Sequence, residues 1–431
     1  MTSRKKVLVV AEAANPEWVS VPLVGWSLAN ALRGVADVHI VTQIRNRDAF
    51  LRAGLVEGID FTAIDSEALA RPIWKLASAL RMGEGKGWTT LQAFAALSYP
   101  YFEHLIWQCF GARIKNGDFD IVHRVTPLSP TIASPLARRC AQAGTPFVLG
   151  PLNGGVPWPK GFDRERRRER ELLSYVRSAY KMMPGRRSTL ASASAILVGS
   201  RHTQNEISAP FQDKTIYLPE NAIDITRFSR RAATATRPLN VCFIGRMVPY
   251  KGPDILLEAA MPLIKQGHVT IDMIGNGPML GELKDYAKAQ KVLNEVRFHG
   301  WVAHTGIEDI ASRCSLFAFP SIREFGGGAV LEAMALGLAP LIVDYAGPGE
   351  LVTNETGVKV PLGSRGEIVS RFRDELERLS NAPDLVSEMG ARARERVHQY
   401  FTWEHKAKQV LRVYDWVLCQ TAKPDLFPPT S

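Results

Sequence analysis

The sequence predicts an α/β protein with two Rossmann-like, doubly wound domains that face a central cleft. Short β-branched apolar runs alternate with longer amphipathic stretches, which is the pattern of a parallel sheet with crossover helices. The chain has 431 residues, which is too long for one ordinary hydrophobic core. A polar segment at 227–240, poor in large apolar residues, separates two such alternations and is typical of a linker.

Five strand candidates lie in the first half of the chain, where we expect 1–225 to form one domain. Each is a short run rich in valine, isoleucine or leucine, and they are KVLVVAE, ADVHIVT, FDIVHRV, PFVLGP and SAILVGS. Between the second and the third lies an insertion at about 45–120. It is rich in Leu, Ala, Trp and Phe, so we expect it to be helical.

Six further strand candidates follow the linker, and 239–400 is expected to form the second domain. They are LNVCFIGRM, VTIDMIGN, EVRFHGW, SLFAFPS, APLIVDY and TGVKVPL. Each precedes an amphipathic stretch such as GPDILLEAAMPLI. Doubly wound sheets bind ligands at the carboxyl ends of their strands, so functional residues are expected where these runs end.

The composition indicates which cellular compartment to expect and disfavours some kinds of binding partner. Five cysteines without C-x-x-C spacing favour a reducing compartment, and the nine dispersed histidines indicate no metal cluster. An export signal is disfavoured because Glu12 interrupts the first apolar run, and no run is long enough to span a membrane. We therefore expect a cytoplasmic protein. Nucleic acid is not an expected partner, because the aromatic residues near the basic segment form no regular stacking platform.

The stretch IREFGGGAVLEAMALG places three consecutive glycines between Glu324 and Glu332. SLFAFPS resembles a strand and AVLEAMAL contains strong helix formers, so the glycines are expected between a strand end and a helix start. Unpaired N–H groups there attract anions, and the missing side chains let a phosphate or a sugar approach the backbone. The two carboxylates suit hydroxyl donors such as a ribose diol and a sugar ring.

A pair of cations is expected at the same kind of junction after another strand. The stretch FIGRMVPYKGPDILLEAA carries Arg246 and Lys251. A guanidinium with an ammonium suits a departing diphosphate, because negative charge builds on the leaving oxygen in the transition state.

Four motifs together resemble the C-terminal half of a retaining glycosyltransferase of family 4, which has the GT-B fold. In order they are GRMVPYKG, FHGWV, FPSIREFGGGAVLEAMALG and GPGELV, and they cover most of 239–360. The E-x7-E element is the signature of that family. The resemblance implies a hexosyltransferase that acts with retention on a nucleotide-diphosphate sugar, with a UDP-sugar as the expected donor. No cofactor is expected, and no metal either, because Arg246 and Lys251 already supply the positive charge beside the diphosphate.

Carried over position by position, the resemblance implies that Glu324, Arg246 and Lys251 are the catalytic residues. Glu324 would hold the donor sugar, and the two cations would hold the diphosphate. The backbone amides of Phe325, Gly326 and Gly327 would lie beside the sugar. Glu332 would bind the ribose. The base would lie against the backbone at Gly300–Val302, with Val302 as the assigned residue.

The acceptor side resembles the family only loosely. Domain 1–225 would bind the acceptor, 239–400 would bind the donor, and a terminal helix at about 402–420 would pack back on the first domain. His123, in VHRVT where relatives often have H-x-H, would face the sugar or be a buried strand-end histidine. Gly25, in PLVGWSLANAL, would approach the diphosphate or the acceptor.

Two segments leave alternatives open for the acceptor. The loop Leu149–Phe162 is rich in Gly and Pro and is expected to shape the acceptor pocket. From Lys160 to Arg187 there are ten Lys/Arg against four Asp/Glu. This segment is either a surface helix with one packed face or a helix seated on the inner face of an anionic membrane. The acceptor could then be a glycan, a lipid-linked acceptor or a small molecule, in the synthesis of cell-surface polysaccharide, glycolipid or a related glycoconjugate.

Two other interpretations compete with these expectations. The same fold could carry a non-catalytic sugar-nucleotide-binding scaffold, or a nucleotide-sugar epimerase or phosphorylase.

The D-x-D pair Asp118 and Asp120 is the metal-binding signature of a different nucleotide-sugar fold. It precedes a strand here rather than following one, so a capping turn is the favoured interpretation.

Overall fold

The chain folds into two units, each built around a parallel sheet, in a computed structural model that describes residues 4–68, 88–159, 161–163, 166, 184–303 and 306–426. The first unit takes its described residues from Met1–Gly155, Arg170–Glu220 and Trp403–Phe427. The second takes them from Val156–Glu169, Asn221–Thr402 and Pro428–Ser431.

The sheet of the first unit has seven strands among the described residues, in the order β3-β2-β1-β4-β5-β6-β7. The strands are β1 Lys6–Ala11, β2 Asp37–Gln43, β3 Phe61–Ile64, β4 Ile121–Thr126, β5 Phe147–Leu152, β6 Ala195–Val198 and β7 Thr215–Tyr217. Every neighbouring pair is parallel. Nearly all of β1 and all of β4 and β5 are buried, as expected for strands covered on both faces.

Helices cover both faces of this sheet. They are α1 Val21–Leu32, α2 Arg47–Arg52, α3 Trp88–Lys115, α4 Pro135–Ala143, α5 Arg186–Ser192, α6 Arg201–Glu206 and, from the end of the chain, α14 Trp403–Val417. Helix α14 is amphipathic, with Val410, Val413 and Tyr414 among its buried residues, and it lies against α1. The C-terminal helix therefore belongs to the unit formed by the start of the chain.

The sheet of the second unit has six strands among the described residues, in the order β10-β9-β8-β11-β12-β13, and all pairs are parallel. The strands are β8 Leu239–Ile244, β9 Val269–Ile274, β10 Val296–Gly300, β11 Leu316–Phe319, β12 Ala339–Asp344 and β13 Val358–Pro361. The helices are α7 Pro253–Lys265, α8 Leu280–Ala289, α9 Ile307–Ala311, α10 Gly328–Leu336, α11 Ala346–Leu351, α12 Arg365–Ser380 and α13 Pro383–Tyr400.

The predicted α/β architecture is confirmed, and all eleven predicted strand runs contain a strand. Two strands were not predicted, β3 and β7, and they form the two edges of the first sheet. Strand β3 lies inside the insertion that was expected to be helical, although α3 does fill much of the rest of it. Strand β7 has only three residues, and only the two end residues of β3 are buried, so neither strand forms a clear apolar run.

A buried lysine holds α14 against the first unit. The ammonium of Lys406 donates to the carbonyl oxygen of Pro219, and the side chain is buried in the described structure. Burial lowers the pKa of Lys406 to about 7, although the nearby Glu220 carboxylate opposes that shift.

This buried lysine makes stability depend on pH. Between pH 7 and about 10.5 the unfolded chain holds a proton on Lys406 that the folded chain has lost, so stability should rise with pH by up to ~1.4 kcal/mol per unit. Urea unfolding of wild type and Lys406→Met at pH 7, 8 and 9 measures this. The free energy of unfolding of wild type minus that of Lys406→Met should rise with pH. Lys408→Met, exposed on the same helix, should follow wild type. Parallel pH curves for wild type and Lys406→Met would contradict the assignment.

Candidate functional site

The junction between β11 and α10 contains the three consecutive glycines. Gly327 immediately precedes α10 and has a φ of 62°, a left-handed conformation that favours glycine. A Cβ at Gly327 would also lie 2.7 Å from Leu351 Cδ1. Among the described residues, no side chain caps the start of α10. The helix therefore presents backbone N–H groups and the positive end of its dipole at the carboxyl edge of the sheet.

The start of α11 packs against the backbone of this junction. The Gly347 N–H donates to the carbonyl oxygen of Glu324 at 3.3 Å. A Cβ built on Gly347 would lie 2.0 Å from the carbonyl oxygen of Phe325. Only glycine lets α11 approach the Glu324–Phe325 peptide this closely, so the backbone beside Glu324 is fixed by packing.

Glu324 forms an ion pair with Lys251, and the two residues lie on loops that follow the neighbouring strands β11 and β8. The Nζ–Oε2 distance is 2.9 Å, and the side chains are 15% and 20% exposed. Burial disfavours the charge on Lys251, but Glu324 and Tyr250 outweigh it, so the pKa of Lys251 lies above its ordinary value. The lysine therefore stays protonated at neutral pH.

Arg246 adds a second positive charge beside this pair. It is exposed just after the end of β8, and it is close enough to oppose the protonation of Lys251. Among the described residues, the Arg246 guanidinium has no carboxylate partner. Lys251 is paired with Glu324, whereas Arg246 is exposed beside that pair, just after the end of β8. Such an arrangement favours an anionic ligand.

The other predicted donor-side residues lie along the same edge of the second sheet. Phe325 and Gly326 follow Glu324 and are partly exposed, and Glu332 is half-buried one turn inside α10. Val302 lies just beyond β10 and packs partly against the core. Since all strands of this sheet are parallel, the carboxyl ends of β8, β10 and β11 lie on one side.

His123 is buried in the first unit, with both ring nitrogens bonded. One nitrogen is 2.7 Å from the carbonyl oxygen of Gly150, and the other is 2.6 Å from the hydroxyl of Tyr414. Burial lowers the pKa of His123 to about 4, so the ring is neutral and Nε2 donates to Gly150 while Nδ1 accepts from Tyr414. This geometry corresponds to the buried strand-end histidine rather than to a sugar-facing one.

Gly25 also has a packing role within the first unit. A Cβ at this position would lie 2.2 Å from the carbonyl oxygen of Ala13 and 2.9 Å from Thr126 Cγ2. The glycine lets α1 approach the loop after β1. Contact with the protein backbone therefore accounts for Gly25 without any ligand.

The remaining predictions concern loops and charged segments. Asp120 accepts the backbone N–H of Lys6 at 2.7 Å, and Asp118 pairs with Arg113 at 3.3 Å, so both carboxylates join the turn before β4. Among the described residues, no three metal-ligating side chains cluster.

Most of the basic segment at 160–187 lies outside the described residues. No helix within the described part of the chain is long and apolar enough to span a membrane.

Comparisons with known proteins match part of the chain. Residues 224–396 match the family model described as glycosyl transferases group 1. The chain is 32% identical over 229 residues to D-inositol 3-phosphate glycosyltransferase from Rhodococcus erythropolis, covering 51% of this chain and 50% of the relative. It is 29% identical over 205 residues to glycogen synthase from Mycobacterium tuberculosis, covering 46% of this chain and 48% of the relative. The chain thus spans about half the length of the curated relatives it matches.

Solved structures share the fold over almost the whole chain. HepE from Anabaena in complex with UDP has a TM-score of 0.59 at 15% identity, covering 96% of this chain and 100% of that one. Sucrose-phosphate synthase from Thermosynechococcus elongatus has a TM-score of 0.60 at 16% identity, covering 97% and 100%. At these identities the likeness concerns the fold alone, and it confirms the predicted fold class, with two Rossmann-like domains.

The close approach at Gly347 can be tested directly. Gly347→Ala should lower the free energy of unfolding by about 1–3 kcal/mol, because its methyl group overlaps the Phe325 carbonyl oxygen. Amide hydrogen exchange of 324–327 should rise. Gly281→Ala in α8, with nothing within 4 Å of its Cβ, is the matched control and should gain up to about 1 kcal/mol. Equal stability of the two variants in urea would show that the contact is not tight.

Proposed function

We propose that the protein is a glycosyltransferase that moves a hexosyl group from a nucleotide-diphosphate sugar to an acceptor hydroxyl. The observation that carries this proposal is the exposed Arg246 guanidinium beside the Lys251–Glu324 ion pair, on the sheet edge where the uncapped α10 begins. A diphosphate is the anion that such a site suits, and Glu324 lies in the same cluster to accept hydrogen bonds from sugar hydroxyls.

In this proposal Arg246 and Lys251 stabilise the diphosphate as it leaves. Charge develops on the leaving oxygen in the transition state, so fixed cations there lower the barrier more than they strengthen substrate binding. The ion pair orients Glu324 before the sugar arrives. Glu324 and the backbone amides of Phe325, Gly326 and Gly327 would then hold the sugar ring, and Glu332 would hold the ribose.

The choice of donor class rests on the site and on the names of similar proteins. Two solved structures of HepE similar to this chain are described as complexes with UDP and with UDP and glucose. We therefore propose a UDP-sugar as donor, with Val302 and its neighbours beside the base. The two cations supply the positive charge that a diphosphate needs, so we propose that the reaction needs no metal. The acceptor would be a glycan, a lipid-linked molecule or a small molecule.

A panel of UDP-, GDP- and ADP-sugars tests the proposal by thermal shift, followed by turnover of whichever donor binds. At least one nucleotide sugar should raise the melting temperature. Arg246→Ala should reduce turnover by a factor on the order of 10²–10³, as the loss of one electrostatic stabiliser typically does. Arg378→Ala, which removes a surface cation on α12, should behave as wild type, and EDTA should have no effect. A panel without any shift, or an Arg246→Ala variant with wild-type turnover, would refute the proposal.

We further propose that transfer proceeds with retention at the anomeric carbon. No carboxylate in the N-terminal half is spaced as an obvious nucleophile, so we expect front-face attack, with the leaving diphosphate helping to deprotonate the acceptor. Glu324→Gln should then lower kcat more than it raises the donor KM, because it disturbs the position of the sugar. NMR of the initial product determines its configuration. An inverted anomer would contradict this mechanism while leaving nucleotide-sugar binding intact.

A further inference from the structure

The chain leaves the first unit after Gly155, and the next residues, Val156–Pro159, pack against the second unit. We call Val156–Pro159 the strap. Val156 is fully buried, and Trp158 packs against the core of the second unit. Phe162, just after the strap, is a buried member of the same core. The loop that was expected to shape an acceptor pocket is therefore divided, and its second half belongs to the unit that carries Glu324.

Two side chains next to the candidate site bind carbonyl oxygens of the strap. Arg323 Nε donates to Val156 O at 3.0 Å, and the Tyr345 hydroxyl donates to Pro157 O at 3.0 Å. Arg323 immediately precedes Glu324. Tyr345 immediately precedes α11, whose start packs on the Glu324–Phe325 peptide. The strap thus joins the two elements that determine where that peptide lies.

Aromatic contacts also connect the strap to Tyr250, the residue before Lys251 of the ion pair. The guanidinium carbon of Arg323 lies 5.1 Å from the ring centroid of Trp158 and 5.7 Å from that of Phe325, within the range of cation–π contacts. Trp158 also meets Tyr250 edge to face, with ring centroids 6.2 Å apart. Tyr250 precedes Lys251, and its carbonyl oxygen accepts the N–H of Ile322 at 2.9 Å.

We propose that the strap is a positioning element of the donor-sugar site, with Trp158 as its anchor and Arg323 as its link to Glu324. This inference rests on the proposed function and deepens it. A guanidinium held by a carbonyl oxygen and two rings has lost most of its rotamer freedom, so it restrains the backbone to which it is attached. Arg323 therefore acts through Glu324 and Phe325, and the cations assigned to the diphosphate remain Arg246 and Lys251.

The test compares four single variants of the full chain. Trp158→Ala removes the anchor, Trp158→Phe keeps an aromatic ring, and Arg323→Lys keeps the charge but loses the planar group and the Nε donor. Tyr286→Ala, an exposed aromatic residue on α8, is the matched control. The measurements are the melting temperature, the Kd of UDP alone, kcat and KM with the donor found by the panel, and amide exchange of 322–328.

Trp158→Ala should speed exchange at 322–328 and lower kcat on the order of 10²-fold, since small displacements of positioning groups have effects of that size. The Kd of UDP alone should change far less, and Trp158→Phe should restore most of the activity. Arg323→Lys should resemble Trp158→Ala. If Arg323→Lys instead keeps wild-type kcat, the charge matters and the stacked geometry does not, which overturns the positioning role.

Three other outcomes are informative. Unchanged exchange and kcat in Trp158→Ala would overturn the inference. An equal loss of melting temperature, UDP affinity and kcat, without rescue by Trp158→Phe, would show a merely structural residue and overturn it as well. If wild type binds no nucleotide sugar, the proposed function fails. The exchange of 322–328 still decides whether the strap positions the Glu324 loop.

Discussion

The ion pair between Lys251 and Glu324 is the interaction on which the geometry of the candidate site depends. It exists because β8 and β11 are parallel neighbours, so the loops after them emerge at the same edge of the sheet. Both charged groups are largely withdrawn from water, and either one alone would be costly to bury. Together they hold the two loops at a fixed separation. The remaining charge, on Arg246, is then left facing outward for an anionic ligand.

Close backbone packing at the same edge explains glycines that could be mistaken for a dinucleotide-binding motif. Gly275, after β9, has a φ of 138°, and a Cβ there would lie 1.9 Å from the carbonyl oxygen of Gly245. Gly277 approaches the backbone of Met247 in the same way, with a Cβ position 2.5 Å from its carbonyl oxygen. These glycines let the loops after β8 and β9 lie against each other. The G-x-G spacing therefore reflects contact between two loops, and no phosphate is needed to account for it.

Much of this arrangement could be predicted from sequence, because it depends on local patterns. Buried parallel strands appear as apolar runs, and a strand end followed by glycines and a helix is recognisable wherever it occurs, so Arg246, Lys251 and Glu324 were found together. The strap was not found, because the bond from Arg323 to Val156 joins residues 167 positions apart. His123 was left between a sugar-facing role and a buried strand-end role, and Gly25 was assigned to the diphosphate or the acceptor, whereas packing against Tyr414 and Ala13 accounts for each. Local spacing does not reveal what packs on a residue from elsewhere in the chain.

The two units use their buried polar groups in different ways. In the first unit, His123 is neutral with both nitrogens bonded, and Lys406 donates to the carbonyl oxygen of Pro219. These groups fasten α14 to β4 and to the segment after β7. In the second unit, the ion pair is accompanied by a cation with no carboxylate partner among the described residues. A polar group that is satisfied inside the fold contributes to stability, whereas an unbalanced charge at a strand edge is available to a ligand. This contrast is the physical reason to expect an anionic ligand at the second sheet rather than beside His123.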